Sequence, residues 1–167
     1  LDHEGLVVDV NDLRDSGGKK TLPRMLSVPQ PEKRTVAVKA NFLWDKTSYV
    51  LGVSASSKRS EQEHEAFTSL HREALSGTDD PGLKALPRFL DAWMPEQFQD
   101  NPHFAQQGEE MLDANVVFRL DGERQYLHER SAARDAWSRL RDQADDGSKG
   151  MCLVTGKQAT VARLHPA

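Results

Sequence analysis

Cysteine is almost absent from this chain: Cys152 stands alone among 167 residues. One thiol closes no intrachain disulfide and builds no cysteine-based zinc cluster, which suits a reducing compartment and a cytoplasmic location. Long apolar runs are missing too. No stretch approaches the roughly 20 residues of a membrane-spanning helix, so no membrane partner is expected. A basic leader followed by an apolar segment, the mark of secretion, is not visible. Nor is there a surplus of positive charge. The 22 Lys and Arg face 26 Asp and Glu, for a net charge of −4. Taken whole, that balance speaks against a nucleic-acid partner.

Apolar residues make up 37% and charged residues 29%, somewhat polar for a globular domain but short of the disordered regime. The length fits one domain able to bury about two-thirds of its unfolded surface. The chain opens at Leu1 inside a strand-like run and stops just after another. It reads as a single-domain fragment of a longer protein. Residues 1–56 are strand- and loop-rich, 57–113 helical, and 114–167 a hairpin, a helix and a second hairpin.

Charge is uneven along the chain. Residues 14–39 carry seven bases and two acids, residues 40–60 a further net +2, and residues 61–113 twelve acids against three bases. A basic loop segment and an acidic helical one therefore hide inside the global figure. Local potential, not the average, meets a ligand.

Hydrophobic pattern and turn chemistry point to an α+β fold: a small antiparallel sheet and hairpins, with about three helices packed on or beside it. Leu6–Val10, Met25–Val28 and Tyr49–Val53 read as strands. Ser60 with Glu63 fits a capping box, opening a helix that stops near Gly77. Pro81 starts a second helix, with the interior Pro87 expected to kink or break it. Val116–Leu120, Asp121-Gly122 and Tyr126-Leu127 read as a hairpin. Ser131 opens a third helix running to about Arg141. Residues 152–154 and 161–164 suggest a closing hairpin.

Motifs for chemistry are mostly wanting. Gly17-Gly18-Lys19-Lys20-Thr21 lacks the glycine and the serine or threonine placement of a nucleotide-cradling loop. It reads as a solvated turn with two mobile lysines. His64 and His71 stand seven residues apart, not the four of a zinc pair on a helix. No Gly-x-Ser-x-Gly elbow is present, and adjacent acid pairs such as Asp79-Asp80 mark turns and caps. Neither catalysis nor a metal or other cofactor is expected. The informative element is the basic connector of residues 30–41 and its approach. Arg24, Lys33, Arg34 and Lys39 are interleaved with Pro29, Pro31 and Asn41, and Trp44 follows. Prolines stiffen the path, so the cations ride on a held loop. Asn, Arg and Lys are the side chains that reach phosphates and base edges. A solvated loop that offsets the acidic helices is the equally weighted alternative.

Several blocks then recur in order: Asp12-Leu13-Arg14, Gly18-Lys19-Lys20, Pro23-Arg24, Lys33-Arg34-Thr35 and Asn41-Phe42-Leu43-Trp44-Asp45-Lys46-Thr47-Ser48-Tyr49. Asn115–Glu123, His128-Glu129-Arg130, Trp137, Cys152–Gly156 and Ala162–Pro166 complete the set. In these blocks the chain resembles the N-terminal part of the large subunit of type I-C CRISPR Cascade complexes, over nearly its whole length. It departs at Val36-Ala37, where the family often has a small polar residue and glycine, at Ala40 in place of proline, and at Lys46 in place of asparagine.

The resemblance implies a non-catalytic subunit that recognises the protospacer-adjacent motif in double-stranded target DNA. It also implies help in R-loop formation and recruitment of a helicase–nuclease, beside crRNA-containing Cascade backbone subunits. On that reading Lys33, Arg34 and Lys39 meet phosphates, with Asn41 at a base edge or the backbone. Lys19, Lys20 and Arg24 extend the track, and Trp44 is core in preference to a wedge. A scaffold subunit whose basic loop meets the crRNA handle or neighbouring subunits is the alternative.

Overall fold

The computed structural model describes residues 1–14, 22–144, 149–151, 156 and 158–160. Three long helices form where the apolar spacing places them: α2 (Ser60–Ala74), α3 (Pro81–Ala92) and α5 (Ser131–Ala144). Two shorter ones accompany them, α1 (Thr47–Val50) and α4 (Pro102–Ala105). Strand β1 (Trp44–Lys46) pairs antiparallel with β2 (Asn115–Val117), Trp44 opposite Val117 and Lys46 opposite Asn115. A second antiparallel pair, β3 (Lys149–Met151) with β4 (Gln158–Thr160), stands apart from the first. The fold is α+β. No helix of the described residues is long and apolar enough to cross a membrane.

Helix α3 starts as its sequence dictates. The Asp80 side chain accepts a hydrogen bond from Leu83 N at 3.0 Å, and Pro81 takes the first turn, where its missing N–H costs nothing. The helix then runs through Pro87 to Ala92 without ending there. Leu83, Ala85, Leu86, Phe89 and Leu90 are all buried on both sides of the proline, so core packing holds the helix across the lost hydrogen bond. Helix α2 departs from its capping box. Its N-cap is Arg59, without a side-chain cap, and Glu63 turns inward and is buried.

The expected strands of the first third do not form. Residues 49–53 begin as α1 and end at Gly52, whose φ of +71° closes the turn. A short apolar run cannot by itself separate a buried strand from a buried helical turn. Leu6–Val10 and Met25–Val28 are irregular. The start of the chain is held instead by side chains and close packing. Asp2 accepts from Glu4 N and Leu6 N, and Gly5 (φ +86°) lies against α3, where a Cβ would meet Phe89 N at 2.5 Å. The 116–127 hairpin is reduced to one bridge, Arg119 with Tyr126, while β2 pairs with β1. The closing-hairpin expectation at 152–154 and 161–164 lies outside the described residues.

Phe42, Phe67, Phe118, Leu83 and Leu86 form the centre of the core, with His71 fully buried among them. The imidazole lies 4.0 Å from the Phe67 ring and stacks on Phe42. Its Nδ1–H donates to Phe67 O at 2.7 Å, which leaves Nε2 to accept from Leu43 N at 2.8 Å. Leu43 has φ +63°, a left-handed conformation costing roughly 1–2 kcal/mol for a non-glycine residue. The histidine holds that turn in place, and the turn delivers Trp44 and Asp45 into β1. Burial pushes the His71 pKa down to about 4, opposed by its bond to Phe67.

Candidate nucleic-acid interface

Asp45 organises the basic connector from below. It is wholly buried and accepts from Asn41 N at 2.8 Å and Lys46 N at 2.8 Å. It also receives the fork of Arg34, through Nη1 at 2.9 Å and through Nη2. Two guanidinium nitrogens on two carboxylate oxygens fix orientation as well as charge. Arg34 is held on two further sides: its Nε donates to Lys39 O at 2.6 Å, and its guanidinium lies 4.0 Å over the Tyr49 ring. Asn41 closes the base of the loop, its Oδ1 accepting from Glu32 N at 2.9 Å. Trp44 ties down the approach, its Nε1 donating to Pro29 O at 2.9 Å.

The residues expected to meet nucleic acid therefore divide into two groups. Arg34 and Asn41 face inward; Asn41 is only 3% exposed and spends its carbonyl on the backbone. They shape the loop. Lys33, Lys39 and Arg24 are exposed, Lys39 lying 3.6 Å from Glu32. Among the described residues Lys33 and Arg24 form no ion pair. Lys19 and Lys20 lie outside the described residues. Trp44 packs in β1 as a half-buried staple.

Beside the connector is a pocket of about 180 Å³, lined by Arg34, Lys46, Arg59, Ser57, Glu63 and Asp113 among others. Arg59, just before α2, crosses to the connector, its Nη1 donating to Val36 O at 3.4 Å. Val36 is 83% exposed. Lys58 and Arg59 are both exposed, so the connector's outward cations continue onto the start of α2. The pocket carries carboxylates as well. Asp113 is held below the ordinary carboxylate range, first by the Ser54 hydroxyl that donates to it. The lining therefore carries both signs of charge, Arg34, Lys46 and Arg59 against Glu63 and Asp113.

The sequence matches the family described as CRISPR-associated protein (Cas_Csd1) over residues 1–167. The chain belongs to that family. No curated protein matches it.

For a CRISPR-associated protein, the placement of the other candidate residues is equally plain. His64 and His71 go separate ways, His64 Nδ1 lying 2.9 Å from Tyr49 O while His71 enters the core. Asp80 bonds Arg130 at 2.8 Å, in a cluster that also includes Glu123 and ties α3 to the turn before α5. Sequence reasoning missed Asp45, the residue on which the connector depends. The signal was an acid inside an apolar block, Phe42-Leu43-Trp44-Asp45, eleven residues after Arg34. An acid in such a block needs a buried partner.

Proposed function

We propose that this domain of the CRISPR-associated protein reads the protospacer-adjacent motif in double-stranded target DNA, as a non-catalytic part of a type I-C Cascade large subunit. On this reading it aids R-loop formation and supports helicase–nuclease recruitment beside crRNA-containing subunits, while guide pairing reads the rest of the target. The observation that carries it is a basic connector fixed on buried Asp45, with Lys33, Lys39 and Val36 exposed and Arg59 joining from just before α2. A held loop pays less entropy on meeting a duplex than a mobile tail. On this reading lysines and arginines hold phosphates, and the exposed residues 35–37 between them meet the groove.

The acidic helical layer completes the division of surfaces. Glu61, Glu65, Glu73 and Asp91 on α2 and α3 are exposed, so that face repels a phosphate backbone and favours the connector side.

The test uses the assembled complex, with Lys33, Lys39 and Arg59 replaced by alanine. Target binding is measured with matched and mutated motifs across a salt series. About five phosphate contacts give a several-hundred-fold affinity loss between 50 and 200 mM salt for the unaltered complex. The triple variant should lose affinity and flatten that slope. Unchanged binding and unchanged motif discrimination would refute the reading.

The inward use of Arg34 and Asn41 favours a second reading, a scaffold loop that meets the crRNA handle or a neighbouring subunit. Failure of the triple variant to assemble would select it.

A further inference from the structure

A second groove, of about 330 Å³, lies between residues 27–29 and the wall formed by the turn Leu127–Glu129 and the start of α5. That volume is at the lower end of small-ligand sites. Its lining mixes two chemistries: Trp137 and Pro29 are apolar, while Ser27, His128 and Arg134 are polar. The turn before α5 places His128 beneath residues 27–29, and Trp137 reaches the groove from two turns into the helix.

His128 is the unusual member. It is 6% exposed, its ring stacks on Tyr126 at 5.6 Å, and neither ring nitrogen has a hydrogen-bond partner among the described residues. Burial holds its pKa below the ordinary value, against the opposing pull of Glu129 and of the Ser27 backbone, which lies near but outside hydrogen-bonding geometry. The neutral ring offers one donor and one acceptor, both unmet. Buried polar atoms are normally satisfied, and a pair of orphans lining a groove calls for a partner that brings one of each.

Trp137 packs one side against Phe42, with ring centroids 5.6 Å apart, and is half-buried, so the rest of the indole lines the groove. Arg134 is exposed, one Nη donating to Glu129 O at 3.2 Å. An aromatic platform, an imidazole donor–acceptor pair and an exposed cation match a nucleobase and its phosphate. Residues 27–29 run directly into the connector, so the groove adjoins the loop proposed to hold the duplex.

We infer that the groove holds one unpaired nucleobase of a displaced DNA strand, stacked on Trp137 and hydrogen-bonded by His128, with Arg134 on its phosphate. The choice of DNA rests on the proposed motif-reading function; the choice of a nucleobase rests on the groove alone.

The experiment titrates the protein with oligothymidylate and follows tryptophan fluorescence, with Trp137→Leu, His128→Phe and Arg134→Ala compared and thermal melting recorded for each. Quenching is expected in the unaltered protein. Trp137→Leu should weaken binding about tenfold through the lost stack. Arg134→Ala should lower the slope of log affinity against log salt by about one phosphate. Arg134 is a surface residue, so its variant keeps the test valid if a core-touching one fails to fold. Unaltered affinity and salt slope in a folded Arg134→Ala protein would overturn the inference. Equal binding of oligouridylate would overturn the assignment to DNA. Lys33→Ala with Arg59→Ala provides the separation: it should weaken duplex binding and leave oligothymidylate quenching unchanged. Loss of the motif-reading function is then distinguishable from loss of the groove.

Discussion

Arg34–Asp45 in the connector and Arg72–Asp91 between α2 and α3 join the same residue types in two environments. The Asp45 side chain is 1% exposed and Arg34 26%, whereas Arg72 and Asp91 retain 62% and 54%. The first pair has Tyr49 beneath it, the Lys39 carbonyl beside it and two backbone N–H groups on its carboxylate. The second is a surface contact with water on most sides. An exposed pair contributes about 0–1 kcal/mol, and its loss moves little. A buried pair is strongly destabilising to break by one partner, because the other charge is left without compensation. The connector is thus a shaped element and the acidic helices a solvated layer, although both are rich in charge.

The largest effect that separates the regions is expected from Asp45→Ala. Urea unfolding should show a loss of about 3–5 kcal/mol, since Arg34 is stranded and Asn41 N and Lys46 N lose their acceptor. Target binding should fall with it, even though Asp45 repels phosphate. A loss below about 1 kcal/mol would place Asp45 with the surface pairs.

Next comes acid. The His71 pKa is about 4 in the folded protein against an ordinary value of 6.5. As pH falls, the unfolded chain takes up its proton first. The contribution of neutral His71 is therefore complete above pH 6.5 and erodes toward pH 4, by about 3 kcal/mol in all. Denaturation midpoints followed over that window should decline, and His71→Gln should flatten the decline. A decline confined below pH 4 would point to carboxylates instead.

These two residues also mark how far the sequence could be read. Helices α2, α3 and α5 were legible because their apolar residues recur at helical spacing and Asp80-Pro81 signals a start. The first third was not. Its irregular backbone is held by Asp2, Asn41, Asp45 and His71, and a side chain that satisfies backbone groups leaves no periodic trace. In the candidate site, exposed Lys33 and Lys39 were legible as charge. The inward roles of Arg34 and Asn41 depend on partners that only the folded chain brings near.

Asp91→Ala should change stability by about 0.5 kcal/mol or less and leave DNA binding unaltered. A larger shift would show that the helical layer relies on its charges more than their exposure implies. Lys33→Ala is the smallest in stability, within about 0.5 kcal/mol, because an exposed side chain without an ion pair among the described residues leaves nothing stranded. Its effect belongs to binding, where the salt slope should drop by about one phosphate.

That contrast leads to the most direct measurement. In the assembled complex, affinity for a matched-motif duplex is recorded across a salt series for Lys33→Ala/Arg59→Ala and for a pair of charge changes on the helical layer, Arg72→Ala/Asp91→Ala. The account predicts weaker binding and a slope reduced by about two phosphates for the first, with no change for the second. Equal slopes for the two variants, with the complex intact, would contradict it.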